Sequence, residues 1–357
     1  MSTFNTERMK ELVSYAIQGA GFDKVLALTE YMGVRISKGT LYLNTTNGTN
    51  YVRVQDACVG DDFDVTVDAE LFSKLISKIN TDTFDMTVSD SALTINTDKG
   101  KYTLELKVDE MGSPMKFPDK FPSKVTEVTT IPASALVTIN TSLKASLANV
   151  VGNVYSNYYA GNVFASTDKA MMNIFNVKLF DEPYLFNREF ISVIASCNAD
   201  AKVSKSSDMV LAECVISEKC TVSVCTIIDS SVKDFNTDNV EKFAGFEVNS
   251  FCRFKKAEML ELLDRLALFV SKFDDGAIQL KFTTDGIEVS SIGSNGVESV
   301  AFTESKDAVP FTIKINIDRL RNQLKVYSSD TVDLYYGSDI CIKLVDGDIM
   351  QVIALIK

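Results

Sequence analysis

The tightest groupings of chemically capable side chains in this sequence are Asp61-Asp62 with Asp64, and Asp274-Asp275. Neighbouring carboxylates can hold a divalent cation for metal-assisted hydrolysis. Both groups fall in polar stretches between apolar strands, where aspartate is favoured because its side chain bonds its own backbone. The other parts of a catalytic apparatus are missing. The chain has no histidine, which removes the commonest general base and the commonest metal ligand together, and with them a serine or cysteine triad of the usual kind. Its seven cysteines, Cys214, Cys220 and Cys225 among them, show no CxxC spacing. They indicate neither a zinc site nor a redox pair, and read as small core residues of a reducing compartment. No Walker loop is present, and Gly19-Ala20-Gly21 lacks the third glycine of a dinucleotide fingerprint and follows a helix. No catalytic residue, metal or cofactor is expected.

Charge offers a different chemistry. The net charge of −12 argues against a nucleic-acid partner when taken as a total, but its distribution points the other way. Six amphipathic segments read as helices: roughly Thr6 to Gln18, Ser134 to Asn149 and Lys255 to Lys272, with three more beginning near Ala69, Asn187 and Ile317. They carry thirteen basic and eight acidic side chains, about +5, which leaves about −17 for everything else. Lys74, Lys78, Lys144, Arg188, Arg319, Arg321 and Lys325 are the candidates for a basic helical surface on an acidic body. Any one of them also fits a solvated helix face, as Lys74 and Lys78 do opposite the stripe Leu71, Phe72, Leu75, Ile76 and Ile79.

The elements that would position these cations recur three times. FDVTVDAELFSKLISKI from Phe63, PYLFNREFISVIASC from Pro183 and PFTIKINIDRLRNQLKVY from Pro310 each run strand, polar cap, amphipathic helix. Their spacing of roughly 120 to 130 residues is far longer than a solenoid period and matches a whole domain. Each capped helix is followed by a strand meander, starting at Thr83, Met209 and Thr331, with alternating apolar residues such as Leu93 and Ile95, and turn residues stand between strands at Asp98-Lys99-Gly100, Asp285-Gly286 and Asp346-Gly347. Three domains follow, 1–127, 128–246 and 247–357, of α+β class, each with two helices packed on antiparallel sheet. Apolar residues make up 46% and charged residues 24% of the 357, an ordinary globular balance. No apolar run reaches the roughly 20 residues of a membrane span, and MSTFNTERMK has no signal-peptide core. A cytoplasmic protein without a membrane partner is expected, and the Asn44, Asn47 and Asn140 sequons then mean only polar turns and caps.

Three such repeats in an acidic chain of this length resemble the bacterial DNA polymerase III beta subunit, the sliding clamp. The resemblance covers essentially the whole chain. It is carried best by VTVDAELFSKLISKI, DSALTINTDKGKYTLEL and the loop reaching KFPD between Phe63 and Pro118, and by TLYLNTTNGTNYVRV from Thr40 to Val54. The resemblance implies a head-to-tail homodimer closed into a ring, with helices lining the hole and sheets outside. It implies sequence-independent hold on duplex DNA, with DNA polymerase and clamp loader as partners. It adds Lys24, Tyr158 and Tyr159 to the DNA-binding candidates. It places Tyr102 and Leu104 opposite Phe269 and Val270 in the dimer interface. A peptide-binding cleft is implied at Ile174, Val177, Val240, Val352, Ala354 and Ile356, with Ala354 standing where the family often has proline. Two other classes stay open at this stage: a structural or virion protein that reuses one domain three times, and a hydrolase with a carboxylate-bound metal.

Overall fold

The computed structural model describes residues 2–21, 26–148, 153–245, 248, 250–271, 274–293 and 295–357. Two compact units emerge, one made of Met1–Val137 with Glu189–Ile228, the other of Thr138–Arg188 with Asp229–Lys357. The middle of the chain is therefore shared between them.

The first unit holds an eight-stranded antiparallel sheet in the order Phe63–Asp68, Tyr31–Ser37, Thr40–Thr46, Asn50–Ala57, Cys220–Ile227, Met209–Ser217, Ala201–Lys205, Thr126–Ile131. Its centre is a joint between distant stretches of chain, Asn50–Ala57 against Cys220–Ile227, in register from Asn50 opposite Thr226 to Asp56 opposite Cys220. A separate four-stranded sheet runs Ser2–Asn5, Thr83–Val88, Ala92–Asn96, Lys101–Glu105, and leaves Lys101–Glu105 as an unpaired edge. The second unit repeats the plan. Its nine-stranded sheet runs Tyr184–Asn187, Asn157–Ala160, Phe164–Thr167, Met171–Phe175, Ile349–Ala354, Cys341–Asp346, Thr331–Tyr336, Ser250–Lys255, Glu304–Lys306. The joint here pairs Met171–Phe175 with Ile349–Ala354, from Met171 opposite Ile353 to Phe175 opposite Ile349. Its four-stranded sheet runs Val297–Ala301, Gly286–Ser291, Ala277–Phe282, Phe311–Asn316, with Val297–Ala301 an unpaired edge.

Helices form where the cap and the periodicity agree. Asp68 accepts from the Leu71 N–H at 2.7 Å to start Ala69–Lys78, and Asn316 accepts from the Arg319 N–H at 3.0 Å to start Ile317–Val326. Such caps satisfy donors that the first turn leaves unpaired. Thr6–Ala16, capped by Asn5, packs beside Ala69–Lys78, and Lys256–Leu266 packs beside Ile317–Val326. Their apolar faces are buried, Met9, Leu12 and Val13 in one pair, Leu262, Leu263, Leu320 and Leu324 in the other. The segment expected as one helix from Ser134 to Asn149 is instead broken. It is α-helical over Ala133–Thr138, π-helical over Ile139–Leu143 and 3-10 over Lys144–Ser146, because Ser146 and Ser166 bond each other and the Leu143 carbonyl and so pull the chain out of α register. Asn149 and Lys272, the expected ends of two helices, lie outside the described residues.

Candidate functional site

The candidate residues fall into three sets, and the first is cationic. Lys74 and Lys78 are exposed on Ala69–Lys78, but Lys74 is paired with Glu70 one turn back. Arg319, Arg321 and Lys325 rise from Ile317–Val326, which packs against the turns carrying exposed Lys144. Arg321 is committed to Asp264 and Asp318. Lys78, Lys144, Arg319 and Lys325 have no ion pair among the described residues, so their charge is available to a polyanion. Arg188 opens the helix Arg188–Ser196 and is half-buried. Lys24 lies outside the described residues. The two tyrosines are a correction: Tyr158 is 0% exposed and Tyr159, also buried, stacks on Phe235 at 5.1 Å between ring centroids. A pair of aromatics in a strand with both faces covered is core, and cannot reach a phosphate.

The second set lies at two terminal strands, Lys101–Glu105 in the first unit and Val297–Ala301 in the second. Tyr102 on Lys101–Glu105 is 43% exposed, whereas Leu104 is 2% exposed and packs inward opposite Leu93. Strand alternation separates them: Leu104 belongs to the core, not to an interface. Beside the other edge, Phe269 is 52% and Leu268 82% exposed on the turn Ala267–Phe269, while Val270 is partly buried against the core. Leu268 escapes a sequence reading because it follows the helix stripe. The Phe269 ring lies against Gly296, next to exposed Val297, where a Cβ would approach it to 3.2 Å.

The third set centres on an apolar cleft of about 300 Å³. It sits at the joint of Met171–Phe175 with Ile349–Ala354. Met171, Met172, Val352 and Ala354 come from the joint itself, Ile340 and Cys341 from beside it, and Thr167, Lys169 and Ala170 from the turn before it. Tyr155, Asn236, Asn239 and Phe243 complete the wall. Burial pushes the Cys341 thiol up to about 11, partly opposed by Lys343, so the lining there is neutral. Of the residues expected here, Val352 and Ala354 line the cleft. Ile174 and Val240 are buried in the cluster with Tyr159 and Phe235 that supports Val352 from behind. Val177 and Ile356 do not line it; the Ile356 N–H bonds the Lys314 carbonyl at 2.9 Å. The lining thus keeps Val352 and Ala354 and takes Met171 and Met172, not Ile174 and Val177, from the other strand. The helix Thr237–Ala244 is an addition to the expected elements: Asn236 accepts from the Asn239 N–H at 3.1 Å, a cap whose signal is present in NTDNVEKF, with Val240 and Phe243 on one face.

Beneath this joint lies a fully buried amide cluster. Asn173, opposite Gln351 in the pairing, donates to the Ser142 carbonyl at 2.5 Å and to Gln323 Oε1 at 2.9 Å, and Gln351 donates to the Gln323 carbonyl at 3.4 Å. Gln323 Nε2 lies 3.5 Å from Met171 Sδ. Buried amides fix one register because any slip strands them. Gln323→Leu is expected to cost about 1–3 kcal/mol, read as a lower urea midpoint with an unchanged slope.

Two large sheets with central joints, two four-stranded sheets with free edges, and paired helices on their faces define the sliding-clamp fold. Solved structures with that fold align along the whole chain. The DNA polymerase III subunit beta from Borrelia burgdorferi, in complex with a natural product, superposes with a TM-score of 0.85 at 13% identity, covering 100% of this chain and 99% of that one. The beta subunit from DNA polymerase of Streptococcus pyogenes gives 0.82 at 12%, covering 100% and 99%. A putative DNA polymerase III beta subunit from Eubacterium rectale gives 0.82 at 16%, covering 99% and 98%. No family model and no curated protein matches the sequence.

Proposed function

We propose that this chain is a non-catalytic processivity factor, a sliding clamp that closes around duplex DNA as a head-to-tail homodimer and holds a DNA polymerase through its cleft. The observation that carries the reading is the pairing rule. With domain boundaries at 1–127, 128–246 and 247–357, the first two repeats each hold two four-stranded groups and the third holds one of four and one of five. In both joints the third strand of one repeat's first group pairs with the last strand of the next repeat's second group. Continuing the rule makes Val297–Ala301 of the third repeat and Lys101–Glu105 of the first, each a terminal strand of its four-stranded sheet, partners between subunits. Exposed edges need such cover, and a heterologous contact that closes supplies it.

DNA would be held by phosphate contacts from Lys78, Lys144, Arg319 and Lys325, with Lys74, Arg188 and Arg321 behind them and Lys24 as a further candidate. Phosphate contacts carry no sequence information and permit sliding. No described helix is long and apolar enough to cross a membrane, which accords with a cytoplasmic replication protein. A clamp loader is the partner needed to open such a ring.

Native mass measurement tests the assembly, with about twice the 39.3 kDa chain mass expected. Loading onto circular DNA, with release when that DNA is linearised, tests encirclement. A monomer that never stays on circular DNA overturns the reading and favours a structural protein. Arg319→Glu with Lys325→Glu should shorten DNA residence without unfolding, and lower the slope of log affinity against log salt by about 0.9 for each phosphate no longer neutralised.

A further inference from the structure

Within the second unit, the cations of the helices and the walls of the cleft meet at the buried amide cluster. Asn173, Gln323 and Gln351 are all 0% exposed, yet each belongs to an element that also reaches a surface. Met172 and Val352 pair across the joint and line the cleft. Asn173 and Gln351, their neighbours along the two strands, point through the opposite face of the sheet. Gln323 stands one helical turn after Arg319 and two residues before Lys325, and Ser142 stands two residues before Lys144. The hydrogen bonds from Asn173 to Gln323 Oε1 and to the Ser142 carbonyl therefore join a cleft strand to both cation-bearing segments.

Two features give this junction a second arrangement. Ile139–Leu143 is π-helical, a rare geometry that recurs at functional sites, and Ser142 within it gives its carbonyl to Asn173. The cluster is also incompletely paired: Asn173 Oδ1 and Gln351 Oε1 are buried with no hydrogen-bond partner among the described residues, and Gln323 Nε2 faces the Met171 sulfur, a weak acceptor. Turning over the amides of Asn173 and Gln323 lets Gln323 Nε2 donate to Asn173 Oδ1. It also withdraws Asn173 from the Ser142 carbonyl, which is then open to an N–H four residues on, in α register. The turn carrying Lys144 would shift with it. We propose that the cluster links the two sites: phosphate contact at Lys144, Arg319 and Lys325 moves the balance between the arrangements, and with it the packing of Met171, Met172 and Val352 in the cleft wall. A clamp on DNA then presents a different cleft from a free one, and by reciprocity an occupant of the cleft changes the hold on DNA by the same factor. This rests on the reading of those cations as DNA-facing.

The test is hydrogen exchange read by mass spectrometry on the full-length protein, with and without a mixed-sequence DNA duplex at low salt, binding being followed separately by anisotropy of the labelled duplex. Exchange at Ile139–Ser146 should change on binding. The strands Met171–Phe175 and Ile349–Ala354 should change with it, by about fivefold, the lower end of typical coupling between sites. Gln323→Met keeps the length of the side chain and loses its amide, so the duplex should still bind while the change at the two cleft strands disappears. Gln351→Met, on the opposite strand, gives the same reading should Gln323→Met fold poorly. Cleft strands that exchange identically in the free and the duplex-bound unmodified protein overturn the linkage alone. A change that survives both substitutions overturns the route through the amides. No duplex binding by the unmodified protein overturns the DNA reading, and this inference with it.

Discussion

Phe269→Asp is expected to turn the proposed dimer into a folded monomer at micromolar concentration. Phe269 is half exposed beside Leu268 and Val297 at the edge strand Val297–Ala301, so in a lone subunit the aspartate meets water and costs little. In the closed assembly the same carboxylate would be desolvated without a partner, a penalty of about 3–5 kcal/mol, and so a loss of more than about hundredfold in association. Sedimentation velocity should show the mass halved while circular dichroism stays native. Leu268→Asp should act alike. Leu104→Asp is the contrasting variant: buried opposite Leu93, it should lower the stability of the subunit itself, and a Leu104→Asp protein that is native and monomeric would show that the interface has been placed wrongly.

The second large effect belongs to the cleft. Ile340 is 51% exposed and lines it, so truncation to alanine removes an apolar contact from the occupant without opening a core cavity. A central apolar anchor of this kind is worth roughly 2 kcal/mol, some thirtyfold in affinity. Ile340→Ala should lose polymerase binding by that factor, with dimer mass and DNA retention unchanged. Deleting Leu355 to Lys357 is a blunter experiment than the sequence suggests. The Leu355 N–H bonds the Ile340 carbonyl at 2.9 Å and its side chain packs on the core of the second unit, so that deletion should lower thermal stability as well as binding. Undiminished polymerase binding by Ile340→Ala, in a protein that forms the dimer, would move the site elsewhere.

The sequence makes visible whatever is decided locally. Caps such as Asp68 and Asn316, the helical stripes behind them and the glycine turns are written in three or four adjacent residues, so the three capped helices lie where the sequence places them. The hairpin of Ala92–Asn96 with Lys101–Glu105 is legible from its turn at Asp98-Lys99-Gly100 for the same reason. Features that depend on which face is covered are not. Tyr158 and Tyr159 sit in a strand whose described residues are largely buried, and period-two patterning does not reveal that. Arg321 looks like its neighbours Arg319 and Lys325 in sequence, but Asp264 from another helix claims it. Ile174 and Ile356 fall outside the cleft lining because the register of the joint is set by distant partners, Asn173, Gln323 and Gln351 among them.

The two edges proposed to pair differ in sequence, Lys-Tyr-Thr-Leu-Glu at one and Val-Glu-Ser-Val-Ala at the other. Association through them would be directional, so in the proposed ring each subunit offers one head and one tail. A Phe269→Asp subunit has a spoiled tail and an intact head, and it should act as a terminator when mixed with the unmodified protein: it joins a partner once and leaves an open, linear pair. Excess terminator would then poison ring closure in proportion to its share, whereas a protein that paired like faces would sort into mixed and unmixed dimers with no such dominance.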